Sequence, residues 1–312
     1  MKLLVIFPCY NEEDILLTIT PRFFTYFEEL IQSKQISENS KICFVDDGSS
    51  DRTWEIIENF LQKYIVGVKL SNNFGQFKAM LAGLESFYNK FDNYVTLDVD
   101  LQDDYTIISE MIVKRNEGYE VIQGARNDRS KDGFFKRSMA SIFYKLVNIL
   151  GVKNMNNTSD FRFISNKALG MFLDYKEYHI YLKGIFPIIG LKNTTVFYKR
   201  QKRDAGETKY STLKLSSLAW DIITSFSTKP LKMVLFIGLL SVLISILLIV
   251  WATVHLLLGN TVTGWFSMIT VVTFFGGVQT FAIGLIGEYI GKIYMQTKNR
   301  PRFIIDEIIG EE

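Results

Sequence analysis

The stretch YVTLDVDLQDD, residues 94–104, runs from β-branched and aromatic residues into four carboxylates, Asp98, Asp100, Asp103 and Asp104, with Gln102 among them. If the strand continues through Asp100, Asp98 and Asp100 point to the same side, because side chains alternate along a strand. Two carboxylates held that close repel each other unless something positive lies between them. A hard divalent cation such as Mg²⁺ or Mn²⁺ takes oxygen ligands and keeps room for substrate phosphate oxygens. Gln102, one step further along, adds a neutral oxygen. The spacing points to a site for a metal and a diphosphate.

Such a site needs a scaffold, and residues 1 to about 170 have the pattern of one. KLLVIFP, KICFVDD, VGVKLS, YVTLDVD and YEVIQGAR read as five strands. Helical stretches separate them: EEDILLTITPRFFTYFEELIQ, SDRTWEIIENFLQKY, GQFKAMLAGLESFYN and YTIISEMIVKRNEG. Pro21 predicts a break or a new first turn in the first helix, and Ser50 or Asp51 is placed to cap the second. Strands alternating with helices predict an α/β fold with a doubly wound, Rossmann-like, mostly parallel sheet. In such sheets ligands bind beyond the carboxyl ends of the strands. There the sequence puts PCYNEE, DDGSSD, NNFGQ, DVDLQDD and ARNDR.

Charge divides the chain. Overall it is 48% apolar with a net charge of +2, which suggests neither a nucleic-acid binder nor a disordered tail. From Met233 to Gly287, however, there is no Asp, Glu, Lys or Arg. That predicts two membrane spans, about 231–258 and 265–289, joined by the turn-forming GNTVTG. Lys229 and Lys232 precede the first span; Lys292, Lys298, Arg300 and Arg302 follow the second; the turn has neither Lys nor Arg. The positive-inside bias then places both flanks in the cytoplasm. MKLLVIFPCYNEE is not expected to be a signal peptide, its apolar run being too short. Before the first span, STLKLSSLAWDIITSFSTKPL has an amphipathic helical pattern with Trp220, suited to the membrane interface. Cys9 and Cys43 are expected as buried free thiols, and Glu288 is expected to be solvated or paired with Lys292. Gly276, Gly277, Gly284, Gly287 and Gly291 would permit close helix contacts, between copies or within one hairpin.

FPCYNEE, VDDGSSDRTWEI, NNFGQFKAMLAGL, LDVDLQDD, GARNDR, SDFRFIS and RQKRDAGETKYS occur in this order ahead of the two apolar stretches. Together they resemble the family 2 glycosyltransferases with the GT-A fold. More narrowly they resemble polyprenyl-phosphate glycosyltransferases: the bactoprenol glucosyltransferases and dolichyl-phosphate mannose synthases. The resemblance implies an inverting enzyme that moves a hexose from a nucleotide-sugar to undecaprenyl (polyprenyl) phosphate at the cytoplasmic membrane face, for later cell-envelope glycan modification. UDP-glucose is the expected donor, with UDP-N-acetylglucosamine, UDP-galactose and GDP-mannose as alternatives, and Mg²⁺ or Mn²⁺ the expected cofactor. It also implies a catalytic domain over 1–210, a juxtamembrane helix over 211–230, a hairpin over 231–290 and a cytoplasmic tail over 291–312. Two-span members of the family can form tetramers.

Residue by residue, Pro8, Tyr10 and Glu12 match the motif that cradles the nucleoside, and Asp46 the acidic residue near base and ribose. Asp98, Asp100 and Gln102 match the metal–diphosphate site. Arg126 and Arg137 match basic residues facing the diphosphate and acceptor phosphate. Asp160, beside Arg162, matches the acidic residue proposed to act at the acceptor. Arg203 lies in a loop thought to close over the donor. Two departures stand out. NNFGQ puts Asn72 and Gln76 where the family more often has Arg and Lys, with Lys78 on a different helical face. Asp103-Asp104-Tyr105 replaces Asp-Pro-Pro, which leaves the local helix start and the placement of Gln102 open. A processive polysaccharide synthase would carry a Gln-x-x-Arg-Trp motif and more spans. A non-catalytic partner would have lost the Asp98–Asp100 pair.

Overall fold

The apolar run Leu3–Cys9 forms β1, buried along its whole length. Beside it in parallel register lie β2 (Lys41–Asp46) and β4 (Asn93–Thr96). A parallel strand covered on both faces reads as continuous rather than alternating apolar sequence, and β1 is covered that way. Phe7 meets Phe23 of α1 (Glu13–Gln32) edge-on, with ring centroids 4.9 Å apart. On the other face Gly83 of α3 (Gln76–Ser86) packs against Ile6 and Val45 so closely that an added Cβ would lie 2.9 Å from Ile6.

This computed structural model describes residues 1–60, 64–126, 158–177, 182–199, 223–224, 227–258 and 264–310. Arg137, Arg203 and residues 211–222 of the amphipathic segment lie outside them. Two compact units are present. In the first, β3 (Ile65–Leu70), β5 (Val121–Arg126), β6 (Thr158–Ser165), β7 (Asn193–Tyr198) and β8 (Ile305–Ile309) complete a sheet of order β7-β5-β6-β4-β1-β2-β3-β8. β4, β1, β2 and β3 are parallel, as are β5 and β7; β6 runs antiparallel between β4 and β5, and β8 antiparallel to β3. The result is a GT-A-like α/β fold with a mostly parallel central sheet. The remaining helices of this unit are α2 (Thr53–Asn59), α4 (Ile108–Asn116), α5 (Asn166–Leu173) and α6 (Leu182–Ile189).

Three local expectations are corrected. α1 runs unbroken through Pro21. The proline removes the N–H that would bond the Leu17 carbonyl, but both residues are exposed, so water can satisfy that oxygen. β4 ends at Thr96, short of the strand expected through Asp100. Asp98 and Asp100 therefore owe their proximity to a turn, closed by the Leu101 N–H on the Asp98 carbonyl with Leu101 at φ 43°. Finally, SDFRFIS and the C-terminal IDEII, for which no strand was expected, form β6 and β8. Cys9 and Cys43 are buried free thiols, as expected.

The second unit holds α7 (Lys229–Leu257) and α8 (Trp265–Thr297). Among the described residues one helix, Lys229–His255, is long and apolar enough to cross a membrane, and its most apolar window is entirely unburied. Leu235, Phe236 and Leu239 are each at least 66% exposed. α8 carries no charge before Glu288, which pairs with Lys292 at 3.8 Å. A Cβ added to Gly276, Gly277, Gly284, Gly287 or Gly291 would meet nothing within 4 Å, so these glycines are not what α7 packs against.

Candidate active site

The carboxyl ends of β1, β2, β4 and β5, with the loop after β3, bring the candidate residues to one rim. After β1, Pro8 is buried opposite Val45, and Tyr10 stands 43% exposed. The next two residues are laced to the loop after β2. The Ser50 N–H donates to Asn11 Oδ1 (2.9 Å), the Asn11 N–H to Ser49 Oγ (3.0 Å), and the Glu12 N–H to Thr53 Oγ1 (2.9 Å). Asn11 takes a left-handed φ of 53°, a conformation asparagine tolerates better than most residues. Asp51 accepts the Thr53 N–H at 3.0 Å and so serves the start of α2.

The two aspartates ending β2 divide the work. Asp46 is fully buried; its Oδ1 accepts the Ser49 N–H at 3.3 Å, while Oδ2 is buried with no hydrogen-bond partner. Burial pushes its pKa up, against the Ser49 bond and the charge of Lys69. A buried carboxylate oxygen with nothing to accept from costs free energy, which a ligand donor would recover. Asp47 instead pins the loop after β3, accepting the N–H groups of Phe74 and Gly75 at 2.8 Å each. Lys78 acts on Asp47, lowering a pKa that burial raises. Gly48, at φ 67°, leaves room for that loop: a Cβ would lie 2.5 Å from the Asn72 carbonyl carbon.

Asp98 is the focus of the rim. Burial pushes its pKa up to about 7, and the charges of Asp160, Asp103 and Asp100 add to the push, with Arg126 opposing. Among the described residues, four carboxylates thus share a neighbourhood with the Arg126 guanidinium. Gln76 donates its amide N–H to Asp98 Oδ1 at 2.5 Å. Asp100 accepts the Gln102 N–H at 3.2 Å, and the Gln102 side chain, 5% exposed, has a buried Nε2 without a partner. Arg126 closes on Asp103 at 3.2 Å. Asp104 starts the following helical turn by accepting the Thr106 N–H at 3.1 Å, so a carboxylate cap stands where the resemblance would put prolines.

Asp160 lies on β6, its carbonyl accepting the Thr96 hydroxyl at 2.6 Å. Arg162 is 1% exposed, with its guanidinium 6.0 Å from the centroid of the Phe186 ring. Pro8, Tyr10, Glu12, Asp46, Asp98, Asp100, Gln102, Arg126 and Asp160 are therefore all placed at or near the strand ends. The pinning role of Asp47 and the Gln76–Asp98 contact were not anticipated; the doubled aspartate of VDDGSS was the available signal for the first. Among the described residues no three His, Cys, Asp or Glu side chains form a ready-made metal cage. Mg²⁺ sites commonly use only one or two carboxylates and complete their shell with substrate phosphate and water.

Comparison with known proteins gives this GT-A-like sheet and its carboxylate-rich rim a family. Residues 4–173 match Glycosyl transferase family 2, and residues 229–293 match the GtrB C-terminal hairpin. The chain belongs to glycosyl transferase family 2 and is a glycosyltransferase. It is 42% identical over 306 residues to the uncharacterized glycosyltransferase YkoT of Bacillus subtilis, covering 97% of this chain and 91% of that one. It is 37% identical over 309 residues to the bactoprenol glucosyl transferase of Shigella phage SfX, covering 98% and 99%. The prophage bactoprenol glucosyl transferase homolog of Escherichia coli is 36% identical over 312 residues, covering 99% of each.

Proposed function

We propose that this enzyme transfers a hexose, with inversion, from a UDP-sugar to a polyprenyl phosphate at the cytoplasmic face of the membrane. The observation that carries this reading is Asp98, crowded by three other carboxylates at the rim of a glycosyltransferase fold. The bactoprenol relatives, aligned over nearly the full chain, support the lipid acceptor and glucose as the sugar. The unburied apolar surface of α7 supports a membrane hairpin in which α8 is the second span, since exposed apolar surface on that scale marks a membrane or partner contact. Lys229 and Lys232 before the hairpin, and Lys292, Lys298, Arg300 and Arg302 after it, support a cytoplasmic placement of the rim and both flanks. Assembly into a homo-oligomer through α8 is consistent with its uncovered glycines.

The donor set fits a hard divalent cation: two carboxylates, the amide of Gln102, and excess negative charge around Asp98. Asp98, Asp100 and Gln102 would hold it. Mg²⁺ or Mn²⁺ there supplies charge stabilisation to the departing diphosphate. Asp46 and the loop from Pro8 to Glu12 bind the nucleoside, the unpartnered Asp46 oxygen taking a donor from it. In the transfer, an oxygen of the lipid phosphate forms a bond to the anomeric carbon. The bond from that carbon to the diphosphate oxygen breaks, and the nucleoside diphosphate leaves with the electron pair. Arg126, held by Asp103, brings positive charge to the oxygens where negative charge builds. Arg137 and Arg203 are assigned to the acceptor phosphate and to donor closure on the resemblance. The attacking oxygen is already ionised at neutral pH, so Asp160 orients the acceptor side rather than removing a proton.

The test of donor and acceptor is a panel of UDP- and GDP-sugars offered with undecaprenyl phosphate to purified protein in detergent, with lipid products read by mass spectrometry. One hexosyl-phospholipid formed from UDP-glucose is the expected result. Transfer to water alone, or none from any donor, would reject the proposed acceptor.

A further inference from the structure

Gln76 is the first residue of α3, and its side-chain amide reaches the Asp98 carboxylate. Helix capping does not account for this contact, since the cap position of α3 is Gly75, φ 94°, with no side-chain cap bond. The backbone ahead of Gln76 is positioned from β2 instead: Asp47 holds the Phe74 and Gly75 N–H groups, and Gly48 admits Asn72. A chain of fixed contacts thus runs from the end of β2, through the loop after β3, to the carboxylate beyond β4. Its last link is a neutral donor placed among four carboxylates.

We propose that Gln76 is a positioning residue for the cation and diphosphate: it occupies one Asp98 oxygen with an uncharged donor and leaves the other for a divalent ion. This rests on the proposed function above and deepens it. A ligating carboxylate is fixed in orientation by the hydrogen bond its second oxygen accepts. A lysine at position 76, the more usual residue of the family, would satisfy the same oxygen while adding positive charge toward the diphosphate. The amide adds none. Among the described residues Arg126 is the guanidinium that acts on Asp98, and the divalent ion would add to its compensation of the diphosphate charge.

The experiment measures Mn²⁺ binding by electron paramagnetic resonance and UDP binding by calorimetry on the full chain in detergent. It compares the wild type with Gln76→Ala and Gln76→Lys, each checked for an unchanged melting transition. Gln76→Ala is expected to weaken Mn²⁺ binding in the presence of UDP by about tenfold, the lower end for loss of such an outer contact. Its UDP binding in EDTA stays at the wild-type value. Gln76→Lys is expected to keep Mn²⁺ binding, since its donor still meets the Asp98 oxygen, and, unlike the alanine variant, to strengthen UDP binding in EDTA. Wild-type Mn²⁺ affinity in folded Gln76→Ala would overturn the role of Gln76 while leaving the site assignment standing. Wild-type protein that bound neither UDP nor Mn²⁺ would overturn the site assignment itself, and this inference with it.

Discussion

Arg126, the last residue of β5, holds Asp103 in a 3.2 Å ion pair whose carboxylate is 3% exposed while the guanidinium is 35% exposed. The pair fastens the turn carrying Asp98, Asp100 and Gln102 to a second strand. Removing one partner of a fully buried pair costs about 3–5 kcal/mol. Because Arg126 is a third open to water, Asp103→Ala is expected to cost less, about 2 kcal/mol. Thermal melting of the purified variant checks the stability change, and its transfer rate should fall as the turn loosens. A wild-type melting temperature would mean the pair holds nothing.

Gly48 sits where no other residue fits. Its φ of 67° costs a side chain of ordinary type about 1–3 kcal/mol, and a Cβ would collide with the Asn72 backbone. Gly48→Ala should therefore displace the loop that Asp47 pins, and with it Gln76. UDP affinity is expected to drop together with stability, measured by calorimetry and melting on the same sample. An alanine variant that binds UDP normally would show that the loop adapts.

Asp160 gives a sharper choice. A general base contributes roughly 100-fold or more to rate, whereas an orienting carboxylate beside an already ionised nucleophile contributes less. Asp160→Asn is expected to lose less than about tenfold in kcat, short of that general-base range, with the pH–rate profile unmoved. Loss of a pH-dependent limb along with a larger drop would make Asp160 the base.

The C-terminal strand β8 covers the edge of β3, where Ile309 packs on Gly67 and Lys69 pairs with Asp306 at 3.8 Å. Arg302 adds a 3.2 Å ion pair to Glu85 and a bond to the Tyr175 carbonyl. Ending the chain at Asn299 would expose a long apolar edge, which favours edge-to-edge association. Size-exclusion chromatography of the truncated protein should show aggregation; a monodisperse profile matching the full chain would refute this.

Much of this was written in residue types. Continuous apolar runs marked β1 and β2, helical spacing marked α1 and α3, and polar strand ends marked the rim. What escaped depended on contacts far apart in the chain. IDEII is too short to announce a strand until β3 offers it an edge. SDFRFIS, matched as a motif, is polar at four of seven positions, yet Phe161 to Ser165 are buried, with Arg162 lying over Phe186 of a distant helix. β4 stops at Thr96 because the Asp98–Leu101 turn takes over, although the apolar run continues through Leu97. Gln76 was visible only as a departure from a basic position; its partner across 22 residues of sequence was not.

The most direct test of the central claim is transfer from UDP-glucose to undecaprenyl phosphate by the wild type and by Asp100→Asn, each with Mg²⁺, Mn²⁺ or EDTA. The account predicts metal-dependent formation of one glucosyl lipid phosphate by the wild type. It predicts none with EDTA, and a loss of at least about 100-fold in Asp100→Asn, in line with removal of a group that stabilises developing charge. Equal activity in EDTA, or an Asp100→Asn enzyme as fast as the wild type, would contradict it.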